Sequence, residues 1–138
     1  MLYVEVNTLY DFENNMPKSR LKAYSYDGRQ ALFDYWYNYS EETGDDIELD
    51  ESLTYECTEY ESAESAVNDL GDIDEIRKEL VDDYLYTNDI ELEDEDDWEQ
   101  YIDEIDEDEL NGKCIEWLQD NCTHAEELNN GHVFVVDL

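Results

Sequence analysis

The sequence predicts an α+β fold in a single domain, and three patterns support that prediction. Apolar and polar residues alternate in segments 2–7 and 53–58, which is typical of half-buried strands. Segment 73–85 instead carries apolar residues at the spacing of an amphipathic helix. An Asn-Asn-Gly turn at 129–131 precedes an apolar run at 133–136, which indicates a closing hairpin. At 138 residues we expect one compact domain, in which four or five antiparallel strands pack with four or five helices.

The first part of the chain is predicted to form two strands and a long helix. Leu2, Val4 and Val6 define one face of the opening strand, and segment 18–26 is interpreted as a second strand. Asp27 and the glycine after it predict a turn, with Asp27 as the N-cap of a helix that runs to Thr43 and stops at Gly44.

That helix carries a dense aromatic run. We expect Leu32, Trp36 and Tyr39 to face a core, so that Phe33 and Tyr37 need a second surface. Core packing is the favoured explanation of the run. The alternative is an exposed aromatic patch that anchors an interface, because Tyr and Trp are enriched at such anchors.

The rest of the chain is predicted to form a strand, four helices and the closing strand. Ser62 and Asp72 have the chemistry of N-caps, and Gly71 separates the two helices that they start. The predicted segments in chain order are a strand at 53–58, helices at 62–70, 72–86 and 94–109, a helix that ends near Asn121, and a strand at 133–136.

Charge is the second dominant feature of the sequence. Forty-two Asp and Glu oppose seven Lys and Arg, so the formal net charge is -35. Residues 1–30 are neutral by count, and residues 31–138 form an acidic body that holds the whole excess. Between Asp89 and Glu109, 14 of 21 residues are acidic and none is basic. Repulsion among so many like charges opposes the compact state. We therefore expect a strongly acidic surface that is retained because it has a function.

Three simpler explanations of this acidity compete with a functional one. Disorder is disfavoured, because 41% of the residues are hydrophobic and 13% are aromatic. A solvated face that only aids solubility is the second explanation, and adaptation to high salt is the third. The clustering of the acids in one segment argues against both.

The acidic run is the candidate functional site. In a helix over 94–109, an apolar stripe of Trp98, Tyr101, Ile102 and Ile105 would attach the run to the body of the protein. An α-helix rises about 1.5 Å per residue, and duplex DNA carries one charge per about 1.7 Å of its axis. An acidic helix can therefore approximate the charge density of a nucleic-acid backbone. The predicted partner-binding residues are Asp89, Glu91, Glu93, Asp94, Glu95, Asp96, Asp97, Asp103, Glu104, Asp106, Glu107, Asp108 and Glu109.

Catalytic, metal and cofactor sites are not predicted. The run has no calcium-loop pattern, and Cys114, Cys122, His124 and His132 lack the spacing of a zinc site. No phosphate-binding loop or nucleophile motif is present, so we expect a protein that is not an enzyme. The odd number of cysteines, the absence of a secretory signal and the absence of a long apolar stretch predict a cytoplasmic protein without a membrane partner.

The few basic residues are concentrated near the N-terminus. Lys18, Arg20, Lys22 and Arg29 form a basic patch in the sequence. An internal counterweight to nearby acids, or a dimer contact, is favoured over contact with nucleic acid. Monomer and homodimer both stay open.

In its charge layout the chain resembles the small acidic phage-encoded proteins that imitate nucleic acid, the anti-CRISPR and anti-restriction proteins. The resemblance rests on the run Asp89–Glu109, the acidic surface from Glu41 onward and the aromatic-rich core. It implies a stoichiometric inhibitor that occupies a DNA- or PAM-binding groove, and the resemblance does not specify which bacterial defence enzyme is the target. Our leading hypothesis is that the partner is a CRISPR effector nuclease in the host bacterial cytoplasm. A restriction enzyme or another DNA-binding protein is the alternative target. An acidic chaperone or scaffold for a basic protein is the alternative function.

Overall fold

The computed structural model describes residues 8–44, 47 and 49–137, and within them it confirms the α+β class. These residues form a three-stranded sheet rather than four or five strands, and six α-helices with two 3-10 helices rather than four or five helices. The predicted strand at 2–7 lies outside the described residues. The elements in chain order are α1 (Leu9–Asn15), α2 (Lys18–Leu21), α3 (Tyr26–Thr43), a first 3-10 helix (Glu51–Thr54), β1 (Cys57–Tyr60), α4 (Ala63–Leu70), α5 (Ile73–Thr87), a second 3-10 helix (Glu95–Glu104), α6 (Glu107–Asn121), β2 (His124–Glu127) and β3 (Val133–Val136).

The last strand lies at the centre of the sheet. The strand order is β1-β3-β2, and β3 pairs antiparallel with both neighbours. All four residues of β3 are buried, because successive side chains of a strand point to opposite faces and both faces of this sheet are covered. An apolar run without alternation is what such a doubly covered strand requires.

Two hydrophobic cores lie on the two faces of this sheet. In the first core, on one face of the sheet, Phe134 and Val136 pack with residues of α1, α2 and α3, including Phe12 and Leu32. In the second core, on the other face, Val133 and Val135 pack with residues of α4, α5 and α6. The fold therefore has three layers, with α1–α3 on one side of the sheet and α4–α6 on the other.

Three of the helix ends predicted from local capping chemistry are confirmed. Ser62 starts α4, and Asp72 starts α5 by accepting a hydrogen bond from the backbone N–H of Asp74 at 3.0 Å. Gly44 ends α3 with a φ of 71°, a left-handed conformation that glycine adopts without steric cost.

The predicted closing hairpin is confirmed as well. Gly131 has a φ of 85° in the turn, where the backbone N–H of Leu128 donates to the carbonyl of His132 at 2.8 Å. The turn joins β2 to β3 in an antiparallel pair.

The predicted strand at 18–26 is wrong. The segment forms α2 and a turn, and its buried apolar side chains Leu21 and Tyr24 lie three residues apart, which is a helical spacing. The predicted N-cap Asp27 is also wrong. Ser25 caps α3 instead, because its Oγ accepts a hydrogen bond from the backbone N–H of Gly28 at 3.1 Å, and Gly28 lies inside the helix.

The predicted strand at 53–58 begins later than expected. Its first residues belong to the 3-10 helix Glu51–Thr54, and only Cys57 and Thr58 enter β1. Tyr55 is exposed while Leu53 and Cys57, four residues apart, are buried, so the true spacing here is helical.

The aromatic helix α3 packs on two sides. Leu32 is fully buried, Trp36 packs against the same core, and Phe33 finds its second surface on α1, where its ring lies 5.6 Å from that of Phe12. Tyr39 is exposed, contrary to the prediction, and Tyr37 is exposed beside Phe33.

Candidate interaction surface

The acidic run does not form the single α-helix that was predicted over 94–109. It forms the 3-10 helix Glu95–Glu104, after which Ile105 is extended and α6 begins at Glu107. Asp94 and Asp106 each cap one helix, by accepting hydrogen bonds from the N–H groups two residues later at 3.1 and 3.0 Å. Asp favours caps over helix interiors, and two such caps twelve residues apart divide the segment.

The predicted partner-binding residues all lie on the surface. Asp97 is half-buried, and the other twelve are exposed. In chain order, they are Asp89 after α5; Glu91 and Glu93 in the following loop; Asp94 as a cap; Glu95, Asp96, Asp97, Asp103 and Glu104 in the second 3-10 helix; Asp106 as a cap; and Glu107, Asp108 and Glu109 in the first turn of α6. Together with Glu99, these residues are called the acidic segment below.

The carboxylates of the acidic segment are not neutralised within the described part of the chain. Every ion pair found there uses an acid outside the segment. The basic partners are Arg20, Arg29, Arg77, Lys113, His124 and His132. The segment therefore presents its negative charge directly to solvent.

An apolar stripe attaches the acidic segment to the body, but only shallowly. Trp98, Tyr101, Ile102 and Ile105 are all half-buried, and no residue of the second 3-10 helix is fully buried. The ring of Tyr101 lies 6.2 Å from that of Tyr84 on α5, and Ile105 packs against the second core. The stripe was predicted correctly as the attachment. Its residues are less buried than those on the core-facing side of an amphipathic α-helix would be.

Helix polarity gives a local reason for part of this acidity. Three acids occupy the first turn of the second 3-10 helix and three the first turn of α6, in addition to the two caps. The N-terminus of a helix carries partial positive charge and stabilises nearby carboxylates. The other six acids lie outside these positions, so helix polarity does not account for Asp89, Glu91, Glu93, Glu99, Asp103 and Glu104.

The spacing of the charges differs from the one predicted for an α-helix. A 3-10 helix rises about 2.0 Å per residue, so the stretch from Asp94 to Glu104 extends about 20 Å. It contains seven carboxylates, which gives about one charge per 3 Å. That value lies nearer to the roughly 3.4 Å of one nucleic-acid strand than to the roughly 1.7 Å of a duplex.

The N-terminal basic patch is partly balanced by neighbouring acids. Arg29 pairs with Glu13 at 3.1 Å, and Arg20 pairs with Glu51 at 3.6 Å. The guanidinium of Arg20 also lies 5.3 Å from the ring centre of Tyr55. These contacts support the internal counterweight over a nucleic-acid surface.

Of the four side chains considered for zinc, Cys114 is buried, and Cys122, His124 and His132 are half-buried. Cys114 is buried in the second core, where burial raises its pKa to about 11, and burial raises the pKa of Cys57 to about 12. Both thiols are therefore protonated at neutral pH. Across the described ranges, no three metal-ligating side chains come together. No helix there combines the length and apolar composition that crossing a membrane requires.

Sequence reasoning did not find the polar cluster around Glu59, whose carboxylate is nearly covered. The Glu59 carboxylate accepts hydrogen bonds from the backbone N–H and the Oγ of Ser25, at 2.8 and 3.0 Å, and contacts Nδ1 of His132. Burial raises the pKa of Glu59, but the bonds from His132 and Ser25 outweigh burial and hold that pKa below its usual value. Residues 25, 59 and 132 are far apart in the sequence, so no local sequence pattern indicates the cluster.

A small cavity adjoins this cluster on the sheet edge. Its volume is about 270 Å³. Its lining residues are Arg20, Ala23, Tyr24, Thr54, Cys57, Thr58 and Glu59. The Tyr24 hydroxyl donates to the carbonyl oxygen of Cys57 at 2.5 Å and covers part of the outer edge of β1.

Comparisons with protein-family models, with curated proteins and with solved structures give no match to this chain.

Proposed function

We propose that this protein is a non-enzymatic inhibitor that mimics nucleic acid and blocks the DNA-binding groove of a bacterial defence nuclease, with a CRISPR effector as the favoured target. The observation that carries the proposal is the acidic segment. It places 14 carboxylates on one continuous stretch of 21 residues, and none of them is paired with a base of the described chain.

The physical basis of the inhibition is competition for cationic side chains. A nucleic-acid groove lined by Lys and Arg gains affinity because phosphate contacts release condensed counterions. Unpaired carboxylates on a folded surface can replace the phosphates in these contacts and release counterions in the same way. Most of them also lie in or next to helices, and a backbone that is already ordered lowers the ordering cost of binding.

The charge spacing supports binding to those partner residues that normally contact one strand of the nucleic acid. About one charge per 3 Å along the second 3-10 helix approximates the phosphates of one strand. The shallow apolar attachment supports the same function, since it leaves nearly all the carboxylates exposed to a partner.

Charge reversal separates a localised mimic from an effect of net charge. The first variant replaces five exposed acids of the acidic segment that neither cap a helix nor occupy a first turn. These substitutions are Glu91→Lys, Glu93→Lys, Glu99→Lys, Asp103→Lys and Glu104→Lys. The control variant makes five reversals at exposed acids elsewhere, namely Glu41→Lys, Glu42→Lys, Glu61→Lys, Glu116→Lys and Asp120→Lys.

Nuclease inhibition by the two variants is the measurement. We expect the first variant to lose inhibition while its circular dichroism spectrum and cooperative melt are retained, and the control to keep inhibition. Equal loss in both variants would show that net charge acts without a localised surface. Loss in the control alone would place the binding surface elsewhere.

The partner is identified by capture from a bacterial lysate with elution by salt. Retention of a CRISPR effector supports the favoured target, and retention of a restriction enzyme or another DNA-binding protein supports the alternative target. Retention of basic proteins without nuclease or DNA-binding activity would instead favour an acidic chaperone or scaffold.

A further inference from the structure

Glu59 has the least exposed side chain among the carboxylates that form ion pairs in the described residues. Its side chain is 4% exposed, whereas the other six carboxylates in such pairs are 32% to 61% exposed. A charge at this depth is stable only when hydrogen bonds compensate its lost hydration.

The bonds to Glu59 come from two distant parts of the chain. Ser25, at the start of α3, donates twice to Oε1, at 2.8 and 3.0 Å. His132, in the turn before β3, contacts Oε2 through Nδ1. Because an ionised carboxylate only accepts hydrogen bonds, Nδ1 carries the proton.

The turn itself supplies a further link. The side-chain amide of Asn130 donates to Oγ of Ser25 at 3.0 Å, while its oxygen accepts from the backbone N–H of His132 at 2.9 Å. The cluster of Ser25, Glu59, Asn130 and His132 thus joins the start of α3, the edge strand β1 and the β2–β3 turn.

Gly28 makes this geometry possible. A Cβ at position 28 would lie 1.8 Å from Oε1 of Glu59, a distance that no side chain tolerates. Glycine is unfavourable inside a helix such as α3, so its presence here is explained by the close approach of the carboxylate.

We propose that this cluster is an acid-sensitive latch, in which ionised Glu59 holds the β2–β3 turn against the start of α3 and protonation of Glu59 releases the turn while the sheet stays formed. The sheet persists because all four residues of β3 are buried between two cores and paired with strands on both sides. The turn has no comparable burial, since Asn130 and Gly131 are exposed.

The direction of the switch follows from the surroundings of the carboxylate. His132 faces it from the turn, and Tyr24 lies before α3, with Arg20 and Cys57 on the wall of the same cavity. Tyr24 and Cys57 are neutral throughout the acidic range, because their ordinary pKa values already lie above neutral pH and burial raises both pKa values further. Because the pKa of Glu59 is lowered, the latch is closed above the usual glutamate value of about 4.3 and opens as the pH falls through the lower value of the folded protein.

An NMR pH titration tests the latch. The carboxyl carbon of Glu59 and the amides of Gly131 and His132 are followed from pH 7 to pH 3, together with amide exchange in β3. We expect the turn amides to shift with the same midpoint as the Glu59 carboxyl, while the β3 amides keep their protection. The proposal would be overturned if the chemical shifts of the turn amides did not change with the Glu59 midpoint. It would also be overturned if the β3 amides lost their exchange protection at that midpoint.

Two substitutions open the latch at neutral pH by different means. Glu59→Gln removes the charge, and Gly28→Ala displaces the carboxylate sterically. In both variants we expect protection of the Ser25 amide to fall by about tenfold, the scale of a lost charge-assisted hydrogen bond. The matched control is Glu126→Gln, which removes the charge from the half-buried pair with His124 and should leave that protection unchanged.

Unchanged Ser25 protection in both opening variants would contradict the latch, as would an equal loss in the control. If Glu59→Gln does not fold, Gly28→Ala and the wild-type titration still decide. All these readouts are independent of any binding partner, so they can fail while the proposed inhibition holds.

Discussion

The salt dependence of partner binding gives the sharpest quantitative prediction for the acidic segment. The perturbation is the five-site reversal at Glu91, Glu93, Glu99, Asp103 and Glu104, which removes five of the 14 carboxylates of this segment. Each of these side chains is exposed and has no ion-pair partner within the described ranges. Their loss therefore acts on the interface rather than on internal contacts.

The expected magnitude follows from the charge spacing. At about one charge per 3 Å the segment approximates a single strand, for which each contact contributes about 0.7 to the slope of log K against log salt. The loss of five contacts should therefore make the slope at least about 3.5 less steep, because the introduced lysines also repel a cationic groove. Between 50 and 200 mM salt, that difference corresponds to at least about a 100-fold change in the ratio of the two affinities.

The assay is a titration of guide-bound effector nuclease with fluorescently labelled protein at four salt concentrations. The wild type, the five-site variant and the control with reversals at Glu41, Glu42, Glu61, Glu116 and Asp120 are compared. The control should keep the wild-type slope. Equal slopes in the wild type and the five-site variant would refute the assignment of the acidic segment as the contact surface.

Three further predictions concern folding. The melting temperature should rise as salt increases from low concentration to about 0.5 M, because screening weakens the repulsion among carboxylates, and a melting temperature that does not change with salt would contradict unpaired charge. Trp98→Ala should cost about 1–2 kcal/mol in urea unfolding rather than the roughly 3–5 kcal/mol of a fully buried tryptophan, because the side chain is half-buried; a loss as large as that of Phe134→Ala, at the fully buried centre of the sheet, would contradict the shallow attachment. Since the pKa of Glu59 is lowered, its stabilising contribution should be present above about pH 4.3 and should vanish as the pH falls through the pKa of Glu59 in the folded protein. The difference in unfolding free energy between wild type and Glu59→Gln should therefore shrink in acid. A difference that is constant with pH would argue against an ionised, hydrogen-bonded Glu59.

The features that the sequence predicted correctly are those with local causes. Ser62, Asp72 and Gly44 act within one helical turn, and the turn before β3 depends on a few adjacent residues. Local chemistry of this kind is present in the sequence itself.

The errors arose where two periodicities fit the same residues. Leu21, Ala23 and Ser25 fit a short alternating pattern, whereas Leu21 and Tyr24 fit a helical one, and packing of Leu21 and Tyr24 in the first core selected the helix. The spacing of Trp98, Tyr101, Ile102 and Ile105 fits both an α-helix and a 3-10 helix, and the cap Asp106 divided the segment. The Glu59 cluster depends on tertiary contacts alone, because its members lie up to 107 positions apart in a chain of 138 residues.

Competition between this protein and DNA for one effector nuclease tests the mimicry most directly. Guide-bound effector is saturated with labelled target DNA, the protein is added, and both occupancies are recorded at equilibrium. The mimic predicts that each ligand displaces the other in proportion, with an apparent affinity that falls as the competing ligand rises. A ternary complex in which both ligands bind at undiminished affinity would contradict the proposal that the acidic segment occupies the DNA-binding groove.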